Sequence, residues 1–179
     1  VGVIDADTIT THPELSHALN SYIEIGDATF QHGTNVTSVI LAKKDDLVDD
    51  TNSIGFHGVA PAAKFSAINA GIDVTDENDD VITAIFFSVY QQAAFDALHA
   101  QSGMKIINMS FGGSSLDSQI KQKIKDGIEL GINYVAAAGN SNGPNPNYPA
   151  RNAKYSDVNP ASISGKKGRL LAVAASNTA

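Results

Sequence analysis

Five short apolar runs, at residues 1–4, 65–70, 105–109, 134–138 and 170–174, set what this chain can fold into. Each is four to six residues long and apolar almost throughout, the pattern of strands covered on both faces. Helical spacing fills the intervals between them. Val36, Val39 and Ile40 share one face after Gly33-Thr34. Ile82, Ile85, Phe86 and Val89 do so after an acidic run, Asp76, Glu77, Asp79 and Asp80, whose carboxylates suit the positive end of a helix dipole. Ile120, Ile124 and Ile128 recur every fourth residue, with Leu116 before them and Gly131 as the stop. Strands alternating with helices in this way predict βαβ units and a three-layer α/β/α fold around a mainly parallel sheet. The 179 residues fit one domain with one sizeable core.

Composition removes several classes of function. Twelve basic against nineteen acidic residues give a net charge of −7, which argues against a general nucleic-acid surface. An apolar share of 42% is globular. No apolar run is long enough to span a bilayer in this segment. The chain has no cysteine, so disulfides, thiolate zinc sites and cysteine nucleophiles are excluded. It opens on Val1-Gly2-Val3-Ile4 with no basic leader or signal peptide, and reads as part of a longer chain.

In parallel α/β sheets, ligands sit beyond the carboxyl ends of the strands, and here those ends carry unusual residues. Asp5 closes the first strand and His32 precedes Gly33-Thr34 at the start of the first helix. The 105–109 run leads into Ser110-Phe111-Gly112-Gly113, where paired glycines admit another backbone. The 134–138 run leads into Gly139-Asn140. A carboxylate, an imidazole, an amide and an open backbone edge are most of a hydrolase site. Singly, each has an ordinary explanation in turn or cap chemistry. A long irregular stretch from Gly139 to about Gly168, rich in Pro and Asn, has the length of a functional loop.

The same residues resemble the subtilisin-like serine peptidases. Val3-Ile4-Asp5 followed by His12-Pro13-Glu14-Leu15 is similar to the family's aspartate segment, and His32-Gly33-Thr34-Asn35-Val36 to its histidine segment. Asn52-Ser53-Ile54-Gly55-Phe56-His57-Gly58-Val59-Ala60-Pro61, Ile107-Asn108-Met109-Ser110-Phe111-Gly112-Gly113, Ala136-Ala137-Ala138-Gly139-Asn140 and Tyr148-Pro149-Ala150 follow in the family's order. The resemblance implies a serine endopeptidase acting on polypeptides through an Asp-His-Ser triad. His32 is then the general base, and Asp5 orients its ring and stabilises the charge it gains, which a helix start would otherwise oppose. Asn140 becomes the oxyanion donor. Ser110, Phe111 and Gly112 would pair with an extended substrate, and Ala137, Ala138 and Gly139 would wall the pocket for the residue before the scissile bond. No cofactor is required for the chemistry. A structural calcium ion would take oxygen ligands from Glu14 and the Asn52 loop. Family habit also implies secretion or a cell-surface location, and an inhibitory pro-segment as a partner.

Three departures stand out. The family's serine segment is not among these residues, so 1–179 is expected to be a single partial catalytic domain, inert alone, with its serine beyond Ala179. Asp5-Ala6-Asp7 puts a carboxylate where the family has glycine, and Asn35 replaces a second histidine. These admit an alternative, a catalytically lapsed domain that binds peptides or acts as a scaffold. Other enzyme readings fare worse. Gly139-Asn140-Ser141-Asn142-Gly143 mimics an α/β-hydrolase elbow, but Pro144 and Pro146 forbid the helix that must follow, and no histidine comes later. There is no dinucleotide fingerprint, P-loop or H-E-x-x-H. His12, His17, His57 and His99 read as structural or surface residues.

Overall fold

A computed structural model describes residues 1–44, 57–140, 143–159 and 168–174. They form two compact units, Val1 with Val3–Ile85, and Gly2 with Phe86–Ala179.

In the first unit, β1 (Gly2–Asp5), β2 (Leu19–Glu24) and β3 (Phe65–Asn69) lie in the order β2-β3-β1. β2 and β3 are parallel, with Tyr22 opposite Ala67. The Ser66 and Ala70 amides donate to the Val1 and Asp5 carbonyls, which seats β3 beside β1. Both β1 and β3 are buried along their whole length, as their unbroken apolar runs require. β2 is different. Its Leu-Asn-Ser-Tyr-Ile-Glu sequence has no apolar run, because it is only partly covered, and so the sequence pattern does not show it.

Two short helices serve this sheet. α1 (Pro13–Ser16) is capped by His12, whose Nδ1 accepts from the Glu14 amide at 3.2 Å. Leu15 of α1 packs with Ala18, Leu41, Phe65 and Ala67 in one apolar cluster. α2 (His32–Leu41) buries Gly33, Thr34, Thr37 and Leu41. The expected apolar face of Val36, Val39 and Ile40 is not the buried one, and Val39 is 59% exposed. Small residues win the inner side because the helix start presses on backbone. A Cβ on Gly33 would lie 2.7 Å from the Ala6 carbonyl oxygen and 2.5 Å from Thr8 Oγ1.

The acidic run corrects a second expectation. Residues 82–86 do not begin a helix. β4 (Ile72–Thr75) and β5 (Val81–Ile85) form an antiparallel hairpin, and the acidic residues make its turn. The Asp76 carboxylate accepts from the Asn78 and Asp80 amides, and Asp79 takes a positive φ of 63°. Local side-chain bonding of this kind favours a turn over a helix start. Ile82 is consequently 56% exposed on the hairpin.

In the second unit, β6 (Ile106–Met109), β7 (Asn133–Ala137) and β8 (Leu170–Val173) are parallel neighbours in that order. α3 (Ser88–His99) buries Ala94, Phe95 and Leu98. α4 (Ser118–Glu129) buries Ile120, Ile124 and Ile128, as their spacing predicts. Asp117 caps α4 by accepting from the Gln119 and Ile120 amides, and Gly131 at φ +84° ends it. Gly127 has no room for a side chain, since a Cβ would overlap the Tyr134 hydroxyl. The irregular stretch after β7 is anchored rather than loose where it is described. It contains a 3-10 turn (Ala150–Lys154), and Asn159 bonds the Ala153 and Leu170 carbonyls and the Leu170 amide.

Candidate active site

β1 delivers Asp5 and the first turn of α2 delivers His32. The Asp5 carboxylate is fully buried, and its Oδ1 lies 2.7 Å from His32 Nδ1. The Ala6 amide donates to the same oxygen at 2.8 Å. An ionised carboxylate offers no proton, so Nδ1 carries the hydrogen and Nε2 is left with its lone pair. The imidazole is 42% exposed, open enough to exchange a proton with a substrate group. The hydrogen bond to Asp5 raises the His32 pKa above its ordinary value, and partial burial opposes this. A raised folded-state pKa stabilises the fold fully below the ordinary histidine value, and this contribution is lost as pH rises through the raised one.

Hydrogen bonds on either side of the helix start hold His32 in place. Its amide donates to the Phe30 carbonyl at 2.8 Å, and the Ile9 amide donates to Thr34 Oγ1 at 2.8 Å, tying the segment after β1 to the helix start. The Phe30 ring lies parallel to the imidazole, with centroids 6.3 Å apart. Asp7, the residue that departs from the family pattern, accepts from the Tyr22 hydroxyl at 2.9 Å. Burial and this carboxylate push the Tyr22 pKa up to about 12.

The second unit carries the remaining residues expected to bind substrate or the oxyanion. Ser110 is partly buried, with its Oγ accepting from Asn108 Nδ2 at 2.9 Å, and Phe111 stacks on Phe86 at 4.5 Å. Ala137 ends β7, Ala138 and Gly139 follow it half-buried, and Asn140 is exposed beyond them. Asn147, which the motif reading passed over, joins these segments. Its amide donates to the Ala138 carbonyl at 2.8 Å. Its side chain fills the space a Cβ would need at both Gly112 and Gly139. Gly113 and Tyr148 exchange both backbone hydrogen bonds beside it. Its position one residue before the Tyr148-Pro149-Ala150 block was the signal available.

Glu14 has one buried carboxylate oxygen, Oε2, with no hydrogen-bond partner. Asn52 and Ser141 lie outside the described residues. Among the described residues no group of three or more His, Asp or Glu is arranged to hold a metal ion. The other histidines have local partners. His17 Nε2 contacts the Pro61 carbonyl, His57 Nδ1 the Gly58 carbonyl and His99 Nε2 the Tyr134 hydroxyl.

A buried strand-end carboxylate is thus hydrogen-bonded to a half-exposed helix-start imidazole on an α/β scaffold. The likeness to solved structures concerns the fold. The chain matches the S41 psychrophilic protease with a TM-score of 0.65 and 27% identity, over 83% of this chain and 48% of that one. It matches Sphericase at 0.62 and 26%, over 83% and 49%. These matches bear out the three-layer α/β/α fold with a mainly parallel sheet.

The model of the subtilase family matches residues 1–179, and the chain belongs to that family. Subtilisin BL of Lederbergia lenta is 30% identical over 158 residues, covering 86% of this chain and 52% of that protein. The minor extracellular protease Epr of Bacillus subtilis is 30% identical over 177 residues, covering 95% and 24%. The chain thus spans about half the length of Subtilisin BL, and less of Epr. No described helix is long and apolar enough to cross a membrane.

Proposed function

We propose that the parent protein is a serine endopeptidase that cleaves extended segments of polypeptides, with Asp5 and His32 as two members of its triad. The observation that carries this is the 2.7 Å contact between a fully buried Asp5 and His32 Nδ1, in a chain of the subtilase family. The serine is supplied by sequence outside these 179 residues, and the segment alone is inert. His32 Nε2 takes the serine proton during attack on the carbonyl and returns it to the leaving amine. Asp5 keeps the ring in the required tautomer and stabilises the imidazolium. By its place in the family motif, Asn140 donates its amide to the oxyanion. Ser110, Phe111 and Gly112 pair with the substrate backbone, and Ala137, Ala138 and Gly139 flank the residue before the scissile bond. A pro-segment would occupy the same backbone edge. Export is supported by the name of one relative, an extracellular protease.

The lapsed-scaffold alternative drew on Asp7, but that carboxylate is engaged by Tyr22 and leaves the Asp5–His32 contact intact. An active-serine phosphonate probe, applied to the natural full-length protein, separates the two readings. One serine should be labelled, and His32→Ala should abolish labelling. An unlabelled, folded protein would leave only the scaffold.

The unpartnered Glu14 oxygen fits an oxygen-liganded cation, with Asn52 as a further donor, and calcium is the ion such ligands suit. Its part would be structural: Glu14 would tie α1 to the segment that carries Asn52. Excess calcium should raise the Tm of the full-length protein, and Glu14→Gln should remove that rise. An unchanged Tm in calcium would dismiss the site.

A further inference from the structure

The loop that leads into His32 is held from outside by a residue no motif marks. Asp73, the second residue of β4, receives three hydrogen bonds from it. The Thr29 amide donates at 2.8 Å, Thr29 Oγ1 at 2.6 Å and the Phe30 amide at 3.1 Å. Phe30 in turn accepts from the His32 amide at 2.8 Å. Behind Asp73 lies a dense set of hydrogen bonds. Asn69, buried at the end of β3, donates through Nδ2 to the Ala28 carbonyl at 2.8 Å and accepts from the Gly71 amide at 3.3 Å. The Ala28 amide donates back to the Gly71 carbonyl at 3.0 Å, and the Ile25 and Gly26 amides both reach the Asn69 carbonyl. Gly71 sits against Ala28, where a Cβ would come within 3.1 Å of the Ala28 side chain. The hairpin root and the loop before α2 are therefore tied together by hydrogen bonds, and Asp73 is the last link toward the histidine.

We propose that Asp73 is a positioning residue for the His32 base, acting through Thr29 and Phe30. Three converging donors need a carboxylate, since an amide side chain offers one acceptor oxygen instead of two. Desolvation opposes ionisation of Asp73, but its hydrogen bonds to Thr29 and Phe30 outweigh this and hold its pKa below the ordinary value. It is therefore an anion wherever His32 is a working base. The coupling matters because the base must meet Asp5 on one side and a hydroxyl on the other. A displacement of about 1 Å in such an arrangement can cost on the order of 10²-fold in rate.

This inference rests on His32 being the base, and its test is chosen to stand apart from peptidase activity. In the full-length protein labelled with ¹⁵N-histidine, the His32 imidazole is titrated by NMR in wild type, Asp73→Ala, Asp73→Asn, Thr29→Val and Thr29→Ser. Loosening the loop weakens the Asp5 contact, so Asp73→Ala should lower the His32 pKa. Asp73→Asn and Thr29→Val should lower it less, and Thr29→Ser, which keeps the hydroxyl donor, should restore it. If the protein is active, kcat in Asp73→Ala should fall about 10- to 100-fold with KM little changed. A folded Asp73→Ala whose His32 titrates as in wild type overturns the proposal, even if its Tm drops. Should that variant not fold, unchanged titrations in Asp73→Asn and Thr29→Val overturn it equally. Absence of all peptidase activity would defeat the functional reading while the titrations still decide this one.

Discussion

Replacing His32 by alanine in the natural full-length protein is expected to cut kcat by about 10⁶-fold, a magnitude taken from subtilisin, where base and nucleophile act as one unit. Without Nε2 there is no acceptor for the serine proton, so the nucleophile reverts to an ordinary alcohol. The oxyanion donor and the substrate edge would remain. A residual rate of roughly 10³–10⁴ over water is expected from them alone. KM should change little, because the imidazole contributes to the transition state more than to ground-state binding. The fold should survive, since the side chain is 42% exposed and the helix start is held by the His32 amide donating to the Phe30 carbonyl and the Ile9 amide donating to Thr34 Oγ1. Steady-state kinetics on a peptide substrate, with circular dichroism as the folding control, checks this. A kcat within tenfold of wild type would remove His32 from the mechanism.

Asp5→Asn should cost less, on the order of 10⁴-fold in kcat, and should also move the pH profile. Asn keeps the shape but brings an N–H₂ group that favours the wrong imidazole tautomer, with the proton on Nε2. It also cannot stabilise the imidazolium. Because the hydrogen bond to Asp5 is the main cause raising the His32 pKa, the variant's imidazole should titrate lower. The base works unprotonated, so the acid limb of kcat/KM should shift to lower pH while the plateau falls. Stability follows the same sign. The contribution that wild type gains below the ordinary histidine pKa is absent from the variant, so the two should diverge most in mildly acidic buffer. A variant with unchanged limb and plateau would show that the Asp5–His32 contact does no chemistry.

The fold was legible wherever a strand is a short apolar run, although only β1 and β3 are buried along their whole length and β8 is exposed over its last three residues. β1, β3, β6, β7 and β8 coincide with the five apolar runs to within one residue at each end. The sequence is silent where a strand carries no apolar run, and misleading where local bonding competes. β2 lacks an apolar run because it is only partly buried, and Ile82 with Ile85 mimicked a helical face while lying in a hairpin. The α2 face was misread for a related reason. Its inner side needs small residues to approach the Ala6 and Asp7 carbonyls, and a hydrophobicity pattern cannot express that need. Asn147 and Asp73 were invisible because their partners are distant in sequence and mostly backbone, which leaves no spacing to detect.

Residue order alone determined the layered α/β class, the family, and the identities of Asp5, His32 and Asn140 as candidates, because strand periodicity and catalytic motifs are local properties of a chain. Only the tertiary structure decided that Asp5 and His32 meet at bonding distance, that the shared oxygen is Oδ1, and that Asp7 is occupied by Tyr22. It also decided that Asp73 receives the hydrogen bonds of the loop before His32. Those facts depend on where β1, β2, β4 and α2 come to rest against one another, and that is set by burial and backbone hydrogen bonding between segments as many as 44 residues apart.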